Sequence, residues 1–338
     1  MSAQRRLLIL LAAVFLLAGA GTATVLRAAE QTRTAASDGP PVDSGTVTLA
    51  APHDGAHLLF RTMTWGPHRD QLATVPLDRP DAVRTAASPT CLRFHTAAGT
   101  GICLQAVHSL VQDTYRAVIL DAGLHELRHF DLAGIPTRAR VSPSGHLVAW
   151  TVFVSGDTYA GSTFSTRTSI LDTRTWALQE NLEDFAVVLN GRPYRSPDVN
   201  IWGVTFVDDD HFYATLAAGG STHLVAGDVS RRTLTGVHDN VECPSLSPDG
   251  TRIAYKKRVP GLSPDAPWRL YVLDVRTMTE SATAEQRNVD DQALWLDDST
   301  LAYSLPSDDG TDLWSVPADG SGAAALLARA ALSPAVVR

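Results

Sequence analysis

The chain is poor in lysine. Its 338 residues contain lysine only at Lys256 and Lys257, and the formal net charge is −8. This argues against a nucleic-acid partner, which needs a basic face to displace counterions. Only three cysteines occur, with no CxxC pair and no zinc spacing. Catalytic signatures are missing too: there is no G-x-S-x-G elbow, no H-E-x-x-H, no Walker loop and no Rossmann fingerprint. The 11 histidines are scattered. Of these, His53, His57 and His68 lie near turns and read as surface residues. Helical patterning is absent beyond the leader, which leaves strands to build the core.

Arg5 and Arg6 precede residues 7–26, a run of 20 residues without a charge. A basic start and an apolar run suit an export signal, and the length also suits a membrane anchor. Residues 1–26 are therefore expected to be a cleaved signal peptide or an uncleaved anchor. Residues 27–45, polar and rich in small side chains, read as a flexible tether. Export permits disulfides. Cys91 and Cys103 flank "LRFHTAAGTGI", a strand–turn–strand pattern, and facing positions of a hairpin come close enough to pair. A disulfide is expected there, with two buried thiols as the alternative. Cys243 is expected to be a buried free thiol.

The rest of the chain repeats. Ala254 in "LSPDGTRIAYK" has counterparts at Ala149, Ala214 and Ala302, and weaker ones at Leu59 and Arg93. A second marker, an Asp closing an apolar strand, recurs at Asp78, Asp121, Asp172, Asp228, Asp274 and Asp319, about every 48 residues. Two markers in the same alternating order define six copies. Each copy holds about four short alternating runs separated by turn residues. In copy five these are "NVECPSLS", "TRIAYKK", "WRLYVLDV" and "MTESATAE". One such sheet buries too little alone, and six packed radially bury both faces of each. The expected fold is all-β: a six-bladed β-propeller of four-stranded antiparallel blades over residues 46–338, preceded by an N-terminal apolar helix. Two stacked sandwiches would leave no 48-residue period. "AAALLARAAL" suits the last outer strand, and the terminal "LSPAVVR" suits an inner strand that completes the first blade.

"LSPDGTRIAYK" and "LYVLDVRT" resemble the WD40-like repeat of TolB-type propellers, a periplasmic family. The resemblance covers about residues 46–338; it is clear in copies three, five and six and loose in one and two. It implies export, six blades and a habit of binding protein partners, without the α/β domain that precedes the propeller in TolB. The repeat is also similar to the propeller attached to prolyl-oligopeptidase-type peptidases. A repeat of this kind specifies a fold and not an activity.

Candidate sites lie where inner strands begin, at one mouth of the channel. The starts "DVNIW", "NVE" and "NVDDQ" place Asp198, Asn200, Asn240, Glu242, Asp290 and Asp291 around it. Arg138 and Arg140 in "PTRAR" supply a contrasting cationic side. Converging carboxylates favour a cation such as Ca²⁺ or a basic peptide; the bland alternative is that half of them face a neighbouring blade or solvent. The longest insertions, residues 155–166 and 185–200, carry Tyr159, Phe164, Tyr194 and Arg195, types favoured at recognition hot spots; long blade connections without a function are the equal alternative. The acidic pairs, such as Asp297 and Asp298, read as solvated turns. The expected function is non-catalytic binding of a protein or ligand in the cell envelope, by a monomer without a resident cofactor. The alternative is an envelope enzyme, a metal-dependent hydrolase or lyase, with its site at the channel mouth.

Overall fold

The computed structural model describes residues 3–110, 112–154 and 165–338, without the side chains of 3, 6–12 and 29–38. A helix spans Ala3–Asp38, and its described side chains from 13 to 28 are exposed. Among the described residues, no helix is long and apolar enough to cross a membrane. The stretch expected as a tether is thus helical as far as Asp38, where small alanines favour helix. Val42–Ser44 then pairs in parallel with Arg84–Thr90, so this stretch also covers an outer sheet edge.

Six sheets follow in ring order, each given from the channel outward. Blade 1 is Ala331–Val337, His57–Thr62, Gln71–Pro76 and Arg84–Thr90, plus Val42–Ser44. Blade 2 is Arg93–Ala97, Thr100–Val107, Thr114–Leu120 and Glu126–Leu132. Blade 3 is Ile135–Val141, Leu147–Val154, Ser165–Asp172 and Ala177–Gln179. Blade 4 is Asn200–Phe206, His211–Ala218, Ser221–Asp228 and Thr233–Asp239, extended by Ala186–Leu189 and Arg192–Tyr194. Blade 5 is Glu242–Leu246, Arg252–Arg258, Trp268–Asp274 and Glu280–Ala282. Blade 6 is Leu294–Trp295, Thr300–Ser307, Gly310–Pro317 and Ala325–Ala328. The expected propeller is therefore the fold, and the terminal strand closes the ring by pairing antiparallel with His57–Thr62.

Strand alternation explains the packing. Ile253 and Tyr255 point one way, into a cluster with Leu224 of blade 4, while Ala254 points the other way, against Leu301 and Tyr303 of blade 6. Among the described residues, six such clusters occur, one at each blade–blade interface. The repeated Asp is a turn device: Oδ1 of Asp121, Asp172, Asp274 and Asp319 accepts the N–H two residues on, at 2.8–3.1 Å. Asp249 likewise accepts the Thr251 N–H at 3.0 Å, a turn role and not a catalytic one.

Two expectations are displaced. Arg93 falls on the innermost strand of blade 2, whereas the other markers fall on second strands. Blade 2 turns through Ala98 and Gly99, both at positive φ, so no Ser-Pro turn marks its first hairpin. The disulfide Cys91–Cys103 forms, with Cα atoms 5.3 Å apart. Its cysteines are not cross-strand partners, since Cys103 faces Phe94. Cys91 instead sits in the crossing between blades 1 and 2, so the bond ties that crossing to blade 2. Cys243 is free and buried.

Candidate functional site

Inner strands of blades 2, 3, 4 and 5 wall a mouth of about 520 Å³. It shares Arg93, Thr137 and Arg138 with a neck of about 30 Å³ further down the channel. Local irregularity shapes it. Bulges interrupt the inner strands between Trp202 and Thr205 and between Glu242 and Ser245. Bulges re-aim side chains, and here Trp202 and Glu242 line the mouth. The two bulges touch: Gly203 has φ +66°, and a Cβ there would come within 2.9 Å of the Cys243 Cα.

The floor is ionic. Asp291 lies 3.0 Å from Arg93 and 3.6 Å from Arg138. Burial opposes its ionisation, but the two guanidinium groups outweigh burial and hold its carboxyl at about 2. Glu242 is 3 % exposed. Its Oε1 accepts from Arg258 Nε at 2.8 Å and from Trp268 Nε1 at 3.0 Å, and its Oε2 lies 3.5 Å from Lys256. Lys256 also pairs with Asp290 and sits 4.0 Å from the Trp268 ring centroid. Arg258 flanks the same ring at 4.7 Å.

The carboxylates expected to form a cation site are therefore engaged by cations. Glu242, Asp290 and Asp291 each hold at least one arginine or lysine, and this corrects the expectation of a carboxylate ring. Asp198 does not reach the mouth; it accepts from the Gly219 N–H and, at 3.2 Å, from the Tyr194 hydroxyl. Asn200 is buried between blades 3 and 4, accepting from the Thr166 N–H at 2.9 Å. Asn240 lies behind the mouth, and its amide brackets the Arg258 backbone through bonds of 2.9 and 3.1 Å. It positions Arg258 and does not line the cavity. Arg138 lines both mouth and neck.

Arg140 is 9 % exposed. Nη1 lies 3.0 Å from His95 Nε2, and Nη2 lies 3.5 Å from Ser245 Oγ and 3.4 Å from the Ala293 carbonyl. Burial lowers the Arg140 pKa to about 10, which leaves it charged at neutral pH. Burial first and the Arg140 charge second push His95 well below its usual value, so His95 is neutral. Among the described residues, the Nε atoms of Arg138 and Arg140 have no hydrogen-bond partner.

Sequence reasoning missed Arg93, Lys256, Arg258, Trp202 and Trp268. Lys256 and Arg258 lie on a second strand, away from the starts of the inner strands. The one available signal was that both lysines of the chain stand together. Tyr194 and Arg195 belong to the hairpin on the outer edge of blade 4, beside a separate cavity of about 770 Å³. Tyr159 and Phe164 lie outside the described residues. Asp210, His211 and Asp228 bring ligand-type atoms within 4.8 Å of one another. They lie at the opposite end of blade 4 from the mouth, where Asp210 and Asp228 already accept from Ser230.

No family model matches the chain, and no curated protein matches it. Several solved structures are similar to it. One is a puromycin-hydrolyzing peptidase from Mycobacterium tuberculosis, at 13 % identity and a TM-score of 0.49, covering 82 % of this chain and 44 % of that one. Another is a putative TolB from Agrobacterium tumefaciens, at 11 % identity and a TM-score of 0.48, covering 81 % and 88 %. A third is an oligogalacturonate lyase in complex with manganese, at 9 % identity and a TM-score of 0.46, covering 74 % and 71 %. The chain spans less than half the length of the peptidase. The structural neighbours of this six-bladed propeller thus include TolB-like proteins, and at these identities the likeness concerns the fold alone.

Proposed function

We propose that this chain is an exported, non-catalytic binding protein of the cell envelope, with its docking site at the channel mouth. The observation that carries the reading is the mouth of about 520 Å³, within the usual size range of ligand sites. Its aromatic and ionic side chains are held by their neighbours, as recognition requires. Binding rather than turnover is supported by the engagement of Glu242, Asp290 and Asp291 with cations. A general base or a metal ligand needs an oxygen free for its task. Export is supported by Arg5 and Arg6 before the apolar run and by the disulfide, which belongs to an oxidising compartment. The chain works at the outer face of the cytoplasmic membrane or is released beyond it, as a monomer that engages an envelope protein or peptide.

Cross-linking in intact envelopes followed by mass spectrometry tests the proposal. Adducts on mouth peptides, such as the one carrying Trp268, support it. Adducts confined to the outer strands overturn it, and so does a purified chain that turns over a substrate held at the mouth.

A further inference from the structure

The chain is acidic overall, yet its channel is cationic. Mouth and neck together carry Arg93, Arg138, Arg140, Lys256 and Arg258 against Glu242, Asp290 and Asp291, an excess of two positive charges. That excess is concentrated deep in the channel. Arg93 is the nearer partner of Asp291, at 3.0 Å against 3.6 Å for Arg138. Arg140 is more than nine-tenths buried with only neutral hydrogen-bond partners. Asp291 is thus a carboxylate shared by Arg93, Arg138 and Arg140; an excess of buried positive charge is costly, and an incoming anion relieves that cost.

The shape agrees with the charge. The neck offers about 30 Å³, where one water-sized group needs roughly 10–15 Å³ on this measure. Two oxygen atoms on one carbon suit that space. Guanidinium groups bind carboxylates through paired N–H donors, and Arg138 and Arg140 both line the neck. Above the neck the wall turns apolar. Ile135 and Phe153 are cross-strand partners, 56 % and 44 % exposed, and both line the mouth with Trp268.

We propose that the channel takes an anion-headed ligand, its carboxylate entering the neck against Arg138 and Arg140 and its apolar body lying against Ile135, Phe153 and Trp268. The proposal rests on the mouth being the docking site, and it names the chemistry of what docks. Either a free organic acid or a peptide C-terminus presents this chemistry.

Calorimetric titration of the full-length chain separates these cases. The probes are 3-phenylpropionate and its amide, and the peptide Ala-Ala-Phe with a free or an amidated C-terminus. At least one acid is expected to bind about tenfold or more tightly than its amide, as a charge-assisted contact requires. A preference for the small acid assigns the ligand to free acids, and a preference for the peptide acid assigns it to C-termini. The Arg140→Met chain is expected to lose the preference for acid over amide while its melting temperature stays level or rises, because one of three guanidinium groups sharing the single Asp291 carboxylate has been removed. Equal binding of acid and amide overturns the proposal, as does failure of both acids to bind at about 10 mM, or a preference that survives in Arg140→Met. Envelope cross-links at the mouth combined with equal binding of acid and amide would remove this inference and leave the docking site standing.

Discussion

Asp291 and Arg93 meet at 3.0 Å although 198 residues separate them. One stands before the inner strand of blade 6 and the other begins the inner strand of blade 2, so the pair spans the channel past blade 1. Removing one partner of a buried pair leaves the other charge uncompensated. In Asp291→Asn, Arg93, Arg138 and Arg140 would lose the carboxylate they share. The expected cost is about 3 kcal/mol or more, read as a lower midpoint in denaturant unfolding. An unchanged midpoint would show that the pair is energetically idle.

Ring closure has its own lock. Arg84 is 2 % exposed. Its guanidinium donates to Thr64 Oγ1 at 3.1 Å and to the Ala330 carbonyl at 3.0 Å, and it also reaches the Arg329 carbonyl. The turn into the closing strand is thereby fixed to blade 1. Removing residues 332–338 strips buried Leu332, Ala335 and Val337 and exposes the edge of His57–Thr62. The melting temperature should fall by about 10 °C or more. A truncated chain that melts with the full-length protein would mean that the seam contributes nothing.

Acid should weaken the fold in a defined window. Burial opposes ionisation of Glu280, but Lys257, Tyr255 and His238 outweigh it and hold the carboxyl at about 2. At Glu285 burial likewise acts first, and Arg287 and Tyr303 outweigh it, again giving about 2. Groups depressed in the folded state contribute stability above their unfolded value, which is lost as pH falls toward the folded one. Stability should therefore decline progressively from about pH 4.5 to about pH 2. Glu280→Gln should flatten that decline in urea melts across the window, and an identical decline in the variant contradicts the assignment.

The disulfide spans 12 residues. Closing a loop of that size restricts the unfolded chain by about 3 kcal/mol. The Cys91→Ser/Cys103→Ser double variant should lose about that much in equilibrium unfolding, with the fold retained. Equal stability of the variant and the oxidised protein would contradict this.

Much of the ring was legible in the sequence because each blade repeats the same local chemistry. In blades 2 to 6 the Asp at the end of the third strand accepts a turn N–H, and the apolar residue after a Ser-Pro turn must face a neighbouring blade. Both demands fall within one short stretch. Arg93 misled because blade 2 turns through Ala98 and Gly99 and lacks the Ser-Pro signal. The channel was less legible, since its charge balance depends on side chains brought together from separate blades. Glu242 seen alone suggests an open carboxylate. Only the pairing of Arg252–Arg258 with its neighbours puts Lys256 and Arg258 onto it. Bulges at Trp202 and Glu242 added a re-aiming that no alternation rule contains.

The most direct test of the account places a photo-reactive amino acid at Phe153, on the rim of the mouth, and separately at Leu127, exposed on the outer strand of blade 2. After irradiation of intact envelopes, the account predicts a discrete adduct from position 153 and none from position 127. Equal labelling from both positions, or an adduct from position 127 alone, would contradict it.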